Sequence, residues 1–169
     1  MLLSQQHMVT LEHCIEDFSL WFGGFQHFSV RIGEATIGVA RVQPQLDLDA
    51  EYPLVILTLE SNLTWIPTPV CVGAFQHGLL AAAVGWGGED NVLREEPITL
   101  YHRNQCMDFY PSFNPDKMLC GASGPMECGA PLLQADNGRW MLVGLGVGDT
   151  SNIARYVRLE PSLEWLENA

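Results

Sequence analysis

Basic side chains are scarce in this chain of 169 residues, where eight Lys and Arg stand against twenty Asp and Glu and the formal charge is -12. Such a surplus repels phosphate backbones and anionic lipid, so the composition argues against nucleic-acid binding and peripheral membrane attachment. Long apolar runs are also missing. The longest, at residues 78–86, has the length of a buried strand and is too short to cross a bilayer. The first residues have no basic segment followed by an apolar one, so we expect no signal peptide.

Cysteine spacing typical of metal sites is absent. The chain has five cysteines, and no two of them are separated by only two residues. A zinc ribbon or a thioredoxin-type site is therefore not expected, and the odd number leaves at least one thiol without a partner in the chain. We expect no metal and no cofactor.

What the sequence does contain is material for a packed core, since 47% of the residues are hydrophobic and only 17% are charged. Short apolar and β-branched runs alternate with Gly, Pro, Asn and Asp, and no long helical period lies between them. These runs are residues 28–32, 54–59, 70–72, 80–84, 132–133 and 140–145. The pattern predicts an all-β sandwich or barrel. The end differs, because Pro161 precedes apolar residues at Leu163 and Leu166, and this spacing predicts a short closing helix.

Several segments, taken in order, resemble trypsin-like (chymotrypsin-fold) serine proteases. The matching segments are MVTLEHC at 8–14, LVILTL at 54–59, GWG at 85–87, MLC at 118–120, GAPL at 129–132 and GRWMLVG at 138–144. The resemblance implies an all-β, chymotrypsin-like single domain of two antiparallel β-barrels. The first barrel (about 1–75) would be incomplete, the second would cover about 76–160, and the C-terminal helix about 161–168.

The resemblance places His13 at the position of the family's general base. An ungapped alignment then puts Pro53 where the Asp that orients this base belongs. Proline can neither accept a hydrogen bond from the imidazole nor compensate its charge. Asp47 and Asp49 lie six and four residues upstream, too far along a rigid strand end to substitute. In the family's own triad, neutralising the Asp costs about 10⁴ in turnover.

Cys128 aligns with the family's nucleophilic Ser, and two interpretations follow. Cys128 is either a thiolate nucleophile served by His13, as in viral cysteine proteases of this fold, or an inert thiol. The short interval after Cys120 favours the inert thiol, because this interval should build the oxyanion loop. Ser123 lies in a similar GASGP context, but its spacing to residues 138–140 fits less well, and we interpret it as a loop residue.

The rest of the catalytic apparatus is altered too. The oxyanion loop corresponds to Met126, Glu127 and Cys128, with Glu127 in place of the Asp that binds the new N-terminal amine after zymogen cleavage. Only twelve residues precede His13, and none resembles the activation segment that supplies this amine. The pocket strand, SWG in relatives, corresponds to Val147, Gly148 and Asp149.

The resemblance also implies how the cysteines pair. Cys106 and Cys120, fourteen positions apart, match the family's spacing for one disulfide, which leaves Cys14, Cys71 and Cys128 unpaired. Asn62 begins an N-glycosylation triplet that is usable only in the secretory pathway. The family and this triplet together favour a secreted, extracellular protein.

We therefore predict an inactive serine protease homologue, a pseudoprotease that acts as a binding or regulatory module. The acidic surface would favour basic protein partners. One alternative is a peptidase that uses His13 and Cys128. Another is a purely structural domain of a larger, secreted, tandem-protease-like protein, packed against neighbouring domains.

Overall fold

The computed structural model describes residues 1–15, 28–46, 50–64, 70–86, 92–124 and 126–168. They form two compact units, residues 1–70 and residues 71–168. Both are built mainly from antiparallel strands, as the short apolar runs between turn residues predict. No helix among these residues has the length and apolar character that a bilayer crossing requires.

The first unit is a curled four-stranded sheet. Its strands are β1 (His7–Leu11), β2 (Ser29–Ile32), β3 (Ala35–Pro44) and β4 (Leu54–Leu59), in the spatial order β1-β4-β3-β2. The apolar β4 is central and nearly all of it is buried, which explains its continuous apolar sequence. On its outer edge β1 is paired with the first residues of the chain, since the Val9 N–H donates to the Met1 carbonyl at 2.8 Å. This sheet is the incomplete first barrel that the sequence predicts.

The second unit contains a closed barrel of six strands. The unit as a whole has seven strands: β5 (Cys71–Val72), β6 (Ala81–Gly85), β7 (Arg94–Leu100), β8 (Met118–Ala122), β9 (Cys128–Asp136), β10 (Arg139–Val147) and β11 (Ile153–Arg158). The order is β11-β8-β7-β6-β9-β10, and pairing of β10 with β11 closes the ring. The two-residue β5 lies outside it, parallel to β10. Fully buried Leu132, Val143 and Tyr156 fill the interior.

A buried glutamine attaches the loop between β5 and β6 to the barrel. Gln134 is completely buried on β9, where an unsatisfied amide would cost free energy. Its Oε1 accepts from the Gln76 N–H at 2.8 Å, and its Nε2 donates to the Gln76 carbonyl at 2.7 Å. Both ends of the amide are thereby satisfied, and the loop is held at Gln76.

Two short helices accompany the second unit. The predicted closing helix is present as a 3-10 turn at Glu160–Ser162 followed by α2 (Leu163–Glu167). The helix α1 (Arg103–Phe109) was not predicted, because its seven residues contain too little apolar periodicity. One local signal marks its start, since the Gln105 side chain accepts from the backbone N–H of His102, which is half of a capping box.

Candidate active site

The positions that the resemblance assigns to catalysis fall in both units. His13 and Pro53 belong to the first, and residues 126–128 and 147–149 belong to the second. His13 lies two residues after the end of β1 and begins a helical turn, in which the Ile15 N–H donates to the Glu12 carbonyl at 3.0 Å. His13 therefore lies just past the end of a strand in the first unit.

Pro53, which the resemblance places at the position of the orienting Asp, contacts the neighbouring strand through its backbone carbonyl. The Glu12 N–H donates to the Pro53 carbonyl at 2.8 Å, which extends the β1–β4 ladder by one bond. The His13 ring packs instead on the ring of Tyr52, with 5.1 Å between the centroids and 56° between the planes. A tyrosine ring carries no formal charge at neutral pH, so it does not stabilise an imidazolium as a carboxylate does. Asp47 and Asp49 lie outside the described residues.

The nucleophile position contains an oxidised cysteine. Cys128 is exposed at the first residue of β9 and is disulfide-bonded, as is Cys14. The prediction that these two cysteines are unpaired is therefore wrong. It relied on the family's pairing pattern, and connectivity outside such a pattern cannot be deduced from spacing alone. A disulfide sulfur has no thiolate to attack a carbonyl.

The remaining cysteines agree with the predictions. Cys106 and Cys120 form a disulfide with Cα atoms 5.9 Å apart, which ties α1 to β8. Cys71 is free and exposed on β5.

The oxyanion loop is closed onto the pocket strand by a backbone hydrogen bond. The Met126 N–H, at the position of one of the family's oxyanion donors, donates to the Asp149 carbonyl at 3.1 Å. Beside it, Cys128 is paired in register with Val147 between β9 and β10. An amide that already donates to a carbonyl is not directed at a developing oxyanion. The two segments that should flank a substrate pocket are thus hydrogen-bonded to each other.

Glu127 has a backbone partner as well. Its Oε2 accepts from the Trp86 N–H at 3.0 Å, in the segment that resembles the family's GWG. A carboxylate that accepts a backbone N–H makes a favourable charge-assisted bond. In this arrangement Glu127 holds its own loop against the end of β6.

Asp149 contributes to structure through an ion pair that the sequence did not suggest. Its carboxylate binds Arg155 of β11 in a bidentate manner, with Oδ1–Nη2 at 3.0 Å and Oδ2–Nε at 3.1 Å. The Arg155 guanidinium also lies over the ring of Tyr110, 4.6 Å from its centroid. Fork-shaped pairing of this kind fixes orientation, so the predicted pocket residue is directed at β11.

Ser123 lies after β8, in the loop where the sequence places it, and its N–H donates to the Asn152 carbonyl at 3.1 Å. It is a neighbour of the fully buried Tyr156. Burial raises the pKa of Tyr156 to about 12, the Ser123 hydroxyl opposes that rise, and the charges of Glu96 and Asp149 add to it. Within the described part of the chain, neither the Ser123 hydroxyl nor the Tyr156 hydroxyl makes a hydrogen bond that meets the usual distance and angle limits.

Tyr156 makes the stability of the second unit sensitive to alkali. Its pKa rises from 10.0 to about 12 on folding, so its contribution is complete below pH 10 and is lost as pH rises toward 12. The expected loss is about 1 kcal/mol at pH 11 and about 2 kcal/mol at pH 12. Urea unfolding between pH 8 and 11 measures it. Tyr156→Phe should flatten the curve and Tyr101→Phe should not; equal curves for both variants would contradict this assignment.

The glycosylation triplet lies in a turn after β4. Asn62 and Thr64 are exposed, and Leu63 between them is buried in the core of the first unit. The Asn62 side chain is therefore accessible to a modifying enzyme.

A six-stranded barrel with a half-barrel sheet, His13 after β1 and Cys128 at the start of β9 define the scaffold of a trypsin-like serine protease. The profile of the family described as Trypsin matches residues 1–166, and the chain belongs to this family. Spermosin of Halocynthia roretzi is 26% identical over 204 residues, an alignment that covers 98% of this chain and 52% of spermosin. Ovochymase of the same organism is 26% identical over 200 residues, which cover 98% of this chain and 13% of ovochymase. The chain thus spans about half the length of spermosin and a smaller share of ovochymase.

Proposed function

We propose that this domain is a catalytically silent member of the trypsin family that acts as a binding or regulatory module. The observation that carries the proposal is the hydrogen bond from the Met126 N–H to the Asp149 carbonyl. Catalysis in this family depends on backbone donors directed at the tetrahedral oxyanion, and losing one such donor typically costs 10²–10³ in rate. In this domain the Met126 N–H instead donates to a carbonyl of the protein itself.

The two other catalytic positions support the same conclusion. Pro53, at the aligned position of the orienting Asp, has no carboxylate, and neutralising that Asp alone costs about 10⁴ in turnover in this family. At the aligned nucleophile position, the Cys128 sulfur is bonded in a disulfide and is not available as a thiolate. The effects of these losses on the rate are not additive, because residues that act together in one mechanism lose their contributions together. Any one of them is nevertheless large enough to remove useful activity.

The alternative of a cysteine peptidase depends on a free Cys128 thiol. Since Cys128 is disulfide-bonded, this alternative lacks its nucleophile. Cys71 is exposed and free, and it provides an internal reference for thiol reactivity.

The test is hydrolysis of a panel of fluorogenic peptide amides and esters, combined with iodoacetamide labelling of the oxidised protein. We expect turnover no higher than that of a His13→Ala control, and alkylation at Cys71 without alkylation at Cys128. Turnover that is abolished by His13→Ala or by Cys128→Ala would overturn the proposal. A peptide map of the labelled protein assigns each modified cysteine.

We propose further that the partners are proteins with basic surfaces and that the domain works outside the cell. The net charge of -12 supports the first point, because charge complementarity steers association. The disulfides support the second, as does the accessible Asn62, for which we propose a glycan. A structural role beside neighbouring domains is the second candidate, favoured by the 13% share of ovochymase that aligns with this chain.

A further inference from the structure

Two histidines that lie far apart in the sequence are neighbours in the second unit. His77 belongs to the turn between β5 and β6, and His102 directly precedes α1. Their imidazole rings are 5.9 Å apart between centroids and close to parallel, with 18° between the planes. Both residues are exposed, and neither is at a position that the family resemblance assigns to catalysis.

The distance between the two rings suits two ligands of one metal ion. Two imidazoles bound to a tetrahedral Zn²⁺, with Zn–N bonds of about 2.0–2.1 Å, have centroids roughly 5 Å apart. The observed separation is larger by less than about 1 Å. Two exposed side chains can close such a gap by small rotations within their rotamer wells.

The ring of His77 is positioned without the use of its nitrogens. It packs edge-on against Phe75, with 4.9 Å between the centroids and 77° between the planes. Among the residues that the structure describes, neither nitrogen of this ring makes a hydrogen bond or an ion pair. An imidazole nitrogen with an available lone pair is the commonest protein ligand of transition metals.

The backbone beside each histidine is anchored. The side-chain amide of Gln134 binds the backbone of Gln76, just before the first histidine. The His102 N–H donates to Gln105 Oε1 at 3.1 Å, and the His102 carbonyl accepts from the N–H of Cys106, whose disulfide ties α1 to β8. Such preorganisation lowers the entropy lost when a ligand binds.

The charges around the two rings permit a cation. Arg103 follows His102, and Asp116, which lines the same cavity as His77 and Arg103, offsets the guanidinium charge. The chain as a whole has a formal charge of -12. The long-range field of so acidic a protein attracts cations.

We propose that His77 and His102 form a binding site for a divalent transition-metal ion, with Cu²⁺ bound more tightly than Zn²⁺. Imidazole nitrogen suits these ions, whereas Mg²⁺ and Ca²⁺ prefer oxygen ligands. With two protein ligands, at least two coordination positions stay open to water or to a side chain of a protein partner. The expectation of no metal came from cysteine spacing, and spacing cannot reveal two histidines that only the fold brings together.

The test is isothermal titration of the full chain with Zn²⁺ at neutral pH. Cys71→Ala serves as the background, so that the exposed free thiol neither binds Zn²⁺ nor reduces Cu²⁺. We expect one Zn²⁺ per chain with an affinity in the micromolar range, unchanged by millimolar Mg²⁺. Electron paramagnetic resonance with less than one equivalent of Cu²⁺ should show coordination by two imidazole nitrogens.

His77→Gln and His102→Gln are the informative variants, because each removes one ligand from an exposed position and spares the core. Each should weaken Zn²⁺ binding at least about tenfold, since even residues outside the ligand set contribute 10–100-fold to metal affinity. His7→Gln is the matched control. His7 lies on β1 in the first unit, and its replacement should leave the affinity within about twofold.

Four results would overturn the proposal. They are equal effects of His7→Gln and His77→Gln, an unchanged Zn²⁺ affinity in either of the two informative variants, competition by Mg²⁺, and no saturation up to roughly 1 mM Zn²⁺. A copper spectrum with fewer than two nitrogen ligands would do the same. Far-ultraviolet circular dichroism of each variant shows that the fold is intact.

Discussion

Replacing both Cys106 and Cys120 by alanine is expected to lower the free energy of unfolding by about 3 kcal/mol. The two cysteines are 14 residues apart in sequence, and their disulfide restricts a loop of that length in the unfolded chain. Both are buried, at 1% exposure each, so the alanines also leave small gaps beside α1 and β8. Urea unfolding at neutral pH, followed by far-ultraviolet circular dichroism, gives the difference.

Cys71→Ala is the matched control for this experiment. Cys71 is free and exposed on the two-residue β5, so its replacement should change the stability by less than about 0.5 kcal/mol. A double variant as stable as the control would show that the α1–β8 link contributes nothing to the fold. A single Cys106→Ala variant that loses as much as the double variant would agree with the expectation, since either change breaks the disulfide.

The fold was predictable where the sequence pattern is continuous. The apolar run at 54–59 is β4 with the same bounds, and the runs at 132–133 and 140–145 lie within β9 and β10. β9 continues beyond the predicted run, and Gln134 there is buried with both ends of its amide hydrogen-bonded. The helix α1 was missed, since its stability depends on the disulfide and its cap more than on an apolar face.

The sequence assigns the candidate site a set of positions, and their contacts are not encoded in it. An ungapped alignment places Pro53 and Cys128 where the family has its Asp and Ser. It did not find that the Tyr52 ring lies against His13, or that Arg155 binds Asp149. Those contacts join residues on different strands or across a turn, and no local period or spacing encodes them. The bond from Met126 to Asp149 belongs to the same class, and it is the one that bears most directly on activity.

Gly121→Ala is expected to destabilise the second barrel by about 3 kcal/mol or more. Gly121 is buried on β8, paired with Leu100 of β7. A Cβ at this position would lie 2.7 Å from the Thr99 carbonyl oxygen, 2.9 Å from the Ile98 side chain and 3.2 Å from the Leu100 Cα. Two of these three neighbours are backbone atoms of a strand in a closed barrel, so the clash cannot be relieved by a change of rotamer.

Gly124→Ala, three residues further along the chain, provides the matched control. A Cβ there would meet only the carboxylate oxygens of Glu96, at 3.4 Å, and the end of a glutamate side chain can move. The alanine also restricts the unfolded chain, which by itself stabilises by about 0.4–1 kcal/mol. We therefore expect a net change below about 1 kcal/mol for Gly124→Ala in the same urea titration. A Gly121→Ala protein that unfolds at the wild-type midpoint would show that β7 and β8 are not packed as closely as the barrel requires, because the steric cost arises at that contact alone.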